Sequence, residues 1–206
     1  MGYHESLTEG RNAVLEAFRS GKTVDRLFVL DGCQDGPVKT ILREAKKQDT
    51  MVQYVKKERL DQLSETKNHQ GVIAYCAACE YAEVSDILEN AKKKGEAPFI
   101  VLLDGIEDPH NLGAIIRTAN QAGAHGVIIP KRRAVGLTAT VARTSAGAVN
   151  YTPVAKVTNL VTVMEDLKKE GMWFVCADMD GEEMYSLNLK GPIGLVIGNE
   201  GEGVSR

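Results

Sequence analysis

Three apolar runs, residues 99–103 (FIVLL), 126–130 (GVIIP) and 193–197 (IGLVI), limit what this chain can fold into more than any other feature. A strand with one wet face alternates apolar and polar residues, whereas a run apolar at nearly every position is the pattern of a strand covered on both sides. Further strand-like stretches fall at 151–155 and 172–177, and segments of helical period lie near 112–122, 138–148 and 158–170. Alternation at this spacing predicts a mostly parallel sheet with helices on both faces.

The segment between the first two runs, 104–130, carries the densest local information. Asp108-Pro109 ends extended structure, Asn111 is the N-cap candidate, and Gly123 is placed to stop a helix in a left-handed conformation. On a helical wheel Leu112, Ile115, Ile116 and Ala119 form the buried stripe, and Arg117 projects roughly 150° from its centre. A solvated surface position is the commonest fate of a single helical arginine.

Toward the N-terminus the period changes repeatedly within short distances. A helix is expected over 8–20 with Val14, Leu15 and Phe18 inward. It is followed by a strand at 25–30, a helix near 36–48, a strand at 51–55, a short helix near 57–64 and a strand at 72–76. This is a small α/β unit with its own core. Residues 80–98 are charged, poor in aromatics and bounded by Gly95 and Pro98, so the organisation expected is a domain over 1–79, a linker over 80–97 and a second domain over 98–206.

At 206 residues the chain is long enough for two such cores. No apolar run approaches the roughly 20 residues that span a bilayer, and the first ten residues lack a basic region followed by an apolar one, so a cytoplasmic protein without membrane contact is expected. The four cysteines suit a reducing compartment; Cys76 and Cys79 form a C-A-A-C, but no second such pair exists to complete a zinc site, and no metal is expected. The net charge of −3 argues against bulk capture of nucleic acid, and residues 1–80 hold twelve basic against twelve acidic side chains. A local basic contact surface is expected at Lys131-Arg132-Arg133, directly after the strand at 126–130.

Asp108, Pro109, Asn111, Gly113, Arg117, Thr118 and Ala119, spaced D-P-x-N-x-G-x-x-x-R-T-A between two buried strands, resemble the first motif of the SpoU family of RNA 2′-O-ribose methyltransferases. Residues 193–203 (IGLVIGNEGEG) resemble that family's second motif, an apolar strand entering a Gly-rich loop that carries a glutamate, here Glu200. Two motifs in the right order, each at a strand end, are far more specific than a lone glycine pattern. GRNAVLEA, from Gly10 to Ala17, and Asn68-His69-Gln70-Gly71 are similar to the small RNA-binding domain that precedes the catalytic domain in one subgroup.

The resemblance implies a trefoil-knot (SPOUT) catalytic domain, S-adenosyl-L-methionine as methyl donor, and a homodimer. The reaction implied is methylation of a guanosine ribose in large-subunit ribosomal RNA. By the same token Asn111, Arg117 and Glu200 are catalytic candidates, and Gly198, Ser145 and Gly147 are cofactor-side candidates. Arg11, Asn12, His69 and Gln70 join Lys131, Arg132 and Arg133 on the RNA side. For Ser145 and Gly147 the competing reading is tight helix packing, and for His69 and Gln70 a plain polar turn. Arg117 is expected to clamp a phosphate and the developing alkoxide, because a guanidinium presents donors and no acceptor. A third family motif, a Ser-Leu-Asn-rich start of a C-terminal helix, is not found before Arg206; Ser186-Leu187-Asn188-Leu189 echoes it only superficially. The pocket and the knot are therefore expected to need chain beyond this sequence. Alternatives are a transfer RNA 2′-O-methyltransferase and a non-catalytic RNA-binding protein of the same fold. A nucleotide-dependent dehydrogenase is disfavoured because no G-x-G-x-x-G opens a helix after a strand.

Overall fold

The computed structural model describes residues 6–205. They divide into two units, one comprising the chain to Glu80 together with Gly136–Ala139, the other Tyr81–Val135 with the chain from Thr140.

In the first unit the strands are β1 (Ser6–Glu9), β2 (Val24–Leu30), β3 (Met51–Val55) and β4 (Val72–Cys76), in sheet order β1-β4-β2-β3. β4 runs antiparallel to both its neighbours, and β2 and β3 are parallel. Period-two alternation sorts their side chains. Leu27, Val29, Val72, Ala74 and Cys76 pack on one face with Val14, Ala17 and Phe18 of α1 (Arg11–Arg19) and Val38, Ile41 and Ala45 of α2 (Gly36–Lys47). Phe28 and Ile73 point the other way, onto Leu60 of α3 (Lys57–Leu63). β1 corrects the expectation of a helix from residue 8. Thr8 and Glu9 are strand, paired with Ala74 and Ile73, and Gly10 at φ 87 breaks the chain before α1 begins.

In the second unit β5 (Phe99–Leu103), β6 (Gly126–Pro130), β7 (Val154–Val157), β8 (Trp173–Ala177) and β9 (Ile193–Ile197) make an entirely parallel sheet, ordered β7-β6-β5-β9-β8. Ile100, Leu102, Ile128, Ala155 and Val196 face Ile87 of α4 (Val84–Lys94) and Leu167 of α7 (Leu160–Lys169). Val101, Leu103, Val127 and Ile129 alternate with them and are buried too, as are Leu112, Ile116 and Ala119 of α5 (Pro109–Gln121). The stretch expected to be a linker thus contains α4, which has a capping box at Glu83 and Asp86, ends at Gly95 in the left-handed conformation, and buries Ile87 and Ala91. Below it Gly126 has no room for a side chain, since a Cβ there would meet Ile87 at 2.5 Å.

The expected helix near 138–148 is shorter, α6 (Ala139–Thr144), followed by a 3-10 turn at Ala148–Asn150. Among the described residues no helix is long and apolar enough to cross a membrane.

Candidate active site

The strand order reverses direction at β5. The chain steps outward from β5 to β6 and β7, then crosses to the far edge at β8 and returns to insert β9 beside β5. In open parallel sheets ligands bind outside the carboxyl ends of the strands at such a switch point. Here those ends are Leu103 and Ile197, and the loops that leave them are bound to one another. The Asp104 N–H donates to the Ile197 carbonyl at 2.9 Å, the Asn199 side-chain amide donates to the Gly105 carbonyl at 2.8 Å, and the Ser205 N–H donates to Asp104 Oδ2 at 2.6 Å. Within the second loop Asn199 Oδ1 accepts from the Gly201 N–H at 2.9 Å, and Asn199 and Gly203 exchange both backbone hydrogen bonds at 2.9 Å.

Beside this turn lies an open cleft of about 460 Å³ lined by Ala177 at the end of β8 with Asp178 and Met179 beyond it, and by Ile197 at the end of β9 with residues 198–203 beyond it. The volume falls in the range of small-molecule sites. Its lining residues include three with carboxylates, Asp178, Glu200 and Glu202, and the apolar Ile197 and Ala177, with Met179 fully exposed at its edge. That lining suits a cationic ligand with an apolar part.

Two of the expected site residues, Gly198 and Glu200, line this cleft. The fold itself also demands glycine at 198. A Cβ there would lie 2.1 Å from the Gly203 carbonyl carbon and 2.3 Å from the Val204 nitrogen, so the missing side chain lets the loop fold back over its own strand. Asn111 is exposed in the first turn of α5, but it is not the cap. Asp108 takes that role, accepting from the His110 and Asn111 N–H groups at 2.7 and 2.9 Å, with Pro109 at the first helical position. Arg117 is exposed, as its wheel position predicts. Six residues separate it from Asn111, roughly 240° around the helix and about 9 Å along it, so the two do not share a face. Ile115 is only half-buried, and Gly113 joins the buried stripe instead.

Ser145 and Gly147 are not among the residues that line the cleft. Ser145 is fully buried and its hydroxyl donates to the Ala142 carbonyl at 2.9 Å; its backbone nitrogen lies 3.0 Å from where a Cβ on Gly113 would sit. This is helix packing, in which a small residue on α5 admits the end of α6. Gly147 takes φ 86 to enter the 3-10 turn.

On the expected RNA side, the fold builds His69 into its framework. It is buried, its Nδ1 accepts the Gly71 N–H at 3.0 Å, and its Nε2 lies 3.0 Å from Asp61 Oδ1. With Nδ1 accepting, the ring proton belongs on Nε2 and is donated to Asp61. Arg11 is likewise engaged. Its Nη2 pairs with Asp35 at 2.6 Å, its Nε donates to the Gln70 carbonyl at 3.1 Å, and its backbone N–H donates to Gln70 Oε1 at 3.1 Å. The Val38 N–H, with Arg11 beside it, outweighs desolvation and holds the Asp35 carboxyl below the usual carboxylate range. Asn12, Gln70, Arg132 and Arg133 are exposed, and Lys131 is half-buried. Asn199 and Asp104 were missed by sequence reasoning. The available signal was the N-x-G spacing of Asn199 and Gly201, which favours a side chain bonded to its own turn.

A family model described as the SpoU rRNA Methylase family matches residues 98–206, and one described as RNA 2′-O ribose methyltransferase substrate binding matches residues 7–82. YacO of Bacillus subtilis (strain 168), named for the TrmH family of tRNA/rRNA methyltransferases, is 47% identical over 199 residues, which cover 96% of this chain and 79% of its own. Among solved structures, the SpoU methyltransferase AviRb from Streptomyces viridochromogenes, in complex with the cofactor AdoMet, is similar in fold. Its TM-score is 0.55 at 24% identity, over 98% of this chain and 75% of that one. An rRNA methyltransferase from Sinorhizobium meliloti has a TM-score of 0.52 at 26% identity, over 98% and 74%.

Proposed function

The chain belongs to the SpoU/TrmH family of RNA methyltransferases, and on that basis we propose that it methylates the 2′-hydroxyl of a guanosine ribose in large-subunit ribosomal RNA. The observation that carries this reading is the acid-lined cleft at the carboxyl ends of β8 and β9, beside the β5 loop that leads to Asn111. S-adenosyl-L-methionine, the family's donor, fits its chemistry: Asp178, Glu200 and Glu202 would hold its positive charge, and Ile197 and Ala177 would meet its apolar part. When bound, the donor supplies a methyl group on a positively charged sulfur. The match of residues 7–82 to a 2′-O ribose methyltransferase substrate-binding model supports ribose as the target and the first unit as the reader of RNA.

Alignment of the hydroxyl with the methyl carbon, at about 3–3.5 Å, supplies most of the rate enhancement. Asn111 orients the ribose from the start of α5, and Glu200 holds the donor-side charge. Arg117 turns away from its own sheet, so in a homodimer it reaches a site shared with the second copy and there clamps a phosphate and the developing alkoxide. A cytoplasmic setting, with the ribosome, follows from this substrate.

The test is calorimetric titration with S-adenosyl-L-methionine followed by transfer of labelled methyl groups to ribosomal RNA and to transfer RNA. A 2′-O-methyl product is recognised by its resistance to alkaline cleavage. Methyl groups recovered on bases, or on transfer RNA alone, would overturn the assignment.

A further inference from the structure

Ninety-four residues separate Asn199 from Gly105, yet one side chain ties the loops that carry them. The two ends of the Asn199 amide point in different directions and do different things. Its oxygen accepts the Gly201 N–H and shapes the turn on which Glu200 and Glu202 stand; its nitrogen donates to the Gly105 carbonyl and pins that turn to the β5 loop. Gly105 makes the approach possible. It sits at φ +75, and a Cβ on it would lie 3.3 Å from the Asn199 Cβ.

We propose that Asn199 is a positioning residue that sets the separation between the β5 and β9 loops, and so the placement of Glu200 in the cleft relative to the start of α5. The proposal rests on the reading of that cleft as the methyl-donor site. Asparagine suits the position because it combines an acceptor and a donor on a short, planar group. Aspartate, nearly the same shape, keeps the acceptor for Gly201 but turns a carboxylate oxygen toward the Gly105 carbonyl, so it severs the tie between loops while leaving the turn formed. Alanine removes both bonds. The Ser205–Asp104 bond lies farther along the same loop and is a second fastening that the Asn199 tie holds in register.

The experiment compares the full-length wild-type protein with Asn199→Asp and Asn199→Ala in two ways. Amide hydrogen exchange is expected to accelerate at Ser205 in both variants, at Gly201 in the alanine variant only, and at Leu195 within β9 in neither. Calorimetry and kinetics are expected to show donor affinity weakened about tenfold or more, with the donor KM raised and the RNA KM unmoved. Partial unfolding would instead lower kcat and leave both KM values alone. Unchanged Ser205 exchange in Asn199→Asp overturns the tie. Donor binding within about twofold of wild type overturns the positioning role while leaving the cleft reading intact. Wild-type protein that binds no donor overturns the cleft reading and the placement of Glu200 with it, and the exchange data then decide the tie alone. Should the alanine variant lose protection at Leu195, the near-isosteric aspartate variant carries the test.

Discussion

At residue scale, Gly113 and Arg117 lie on one helix and answer to opposite pressures. A Cβ on Gly113 would stand 2.7 Å from the Thr144 Cβ and 3.0 Å from both the Val141 carbonyl oxygen and the Ser145 nitrogen, atoms that cannot swing aside. Gly113→Ala recovers at most about 1 kcal/mol of helix propensity. Overpacking costs about 1–3 kcal/mol. Urea unfolding is therefore expected to show a net loss of stability, where an exposed helical glycine would show a gain. Arg117→Ala removes a side chain that no core uses, so its unfolding free energy is expected to stay within about 0.5 kcal/mol of wild type. Methyl transfer is expected to vanish in the same variant. A single-turnover rate near that of wild type would exclude Arg117 from the reaction.

At the scale of elements, loops here are held by single side chains reaching across the fold. Glu9, at the end of β1, accepts hydrogen bonds from the Ser64 hydroxyl, the Glu65 N–H at 2.8 Å, and the Thr66 N–H and hydroxyl at 3.2 and 2.9 Å. Burial pushes its carboxyl up, and these bonds outweigh that effect and hold it below its ordinary 4.5. The folded state therefore binds fewer protons than the unfolded chain. The stabilisation is fully present above about pH 4.5 and is lost as pH falls through the lower folded value. Glu9→Gln is expected to lower the denaturant midpoint at neutral pH and to flatten its fall on acidification; an unchanged acid slope would show that the cradle does not act through the carboxylate. In the second unit His125 does comparable work. It is buried, Nδ1 accepts the Phe99 N–H at 3.0 Å where β5 begins, and Nε2 lies 3.0 Å from Glu96. His125→Ala leaves the Phe99 donor unmet and is expected to cost about 1–3 kcal/mol in chemical denaturation. His125→Asn, which restores an acceptor near the Nδ1 position, is expected to recover part of that loss.

At the scale of the molecule, each unit has its own hydrophobic core, and the first closes on itself because β1 pairs with β4, the strand nearest the unit's other end in sequence. A fragment of residues 1–82 is therefore expected to unfold cooperatively when followed by circular dichroism, and deletion of residues 1–10 from it to abolish the transition. Its balanced charge neutralises few phosphates. Binding to structured ribosomal RNA is accordingly expected to be weak with a shallow salt dependence, and no affinity at low salt would remove its role in substrate recognition.

Local pattern alone determined the apolar runs 99–103, 126–130 and 193–197, the helix between the first two and the outward turn of Arg117, because burial on both faces and helical period are written in consecutive residues. The two family motifs were legible for the same reason, and with them the order of the loops that meet at the sheet's switch point. Three things were decided only by tertiary structure. β1 forms because Ser6–Glu9 meet β4 nearly 70 residues on, and nothing in four mostly polar residues announces a strand. Asp108 rather than Asn111 caps α5 because a proline at the first helical position sets the start one turn earlier than the apolar stripe implies. His69 and Ser145 look like ligand contacts in sequence, yet their environments are made by Asp61 and Gly113, whereas Gly198 lines the cleft and also packs against Gly203. Whether a small or polar residue faces a ligand or its own chain depends on which distant segment packs against it, and that is a property of the folded backbone.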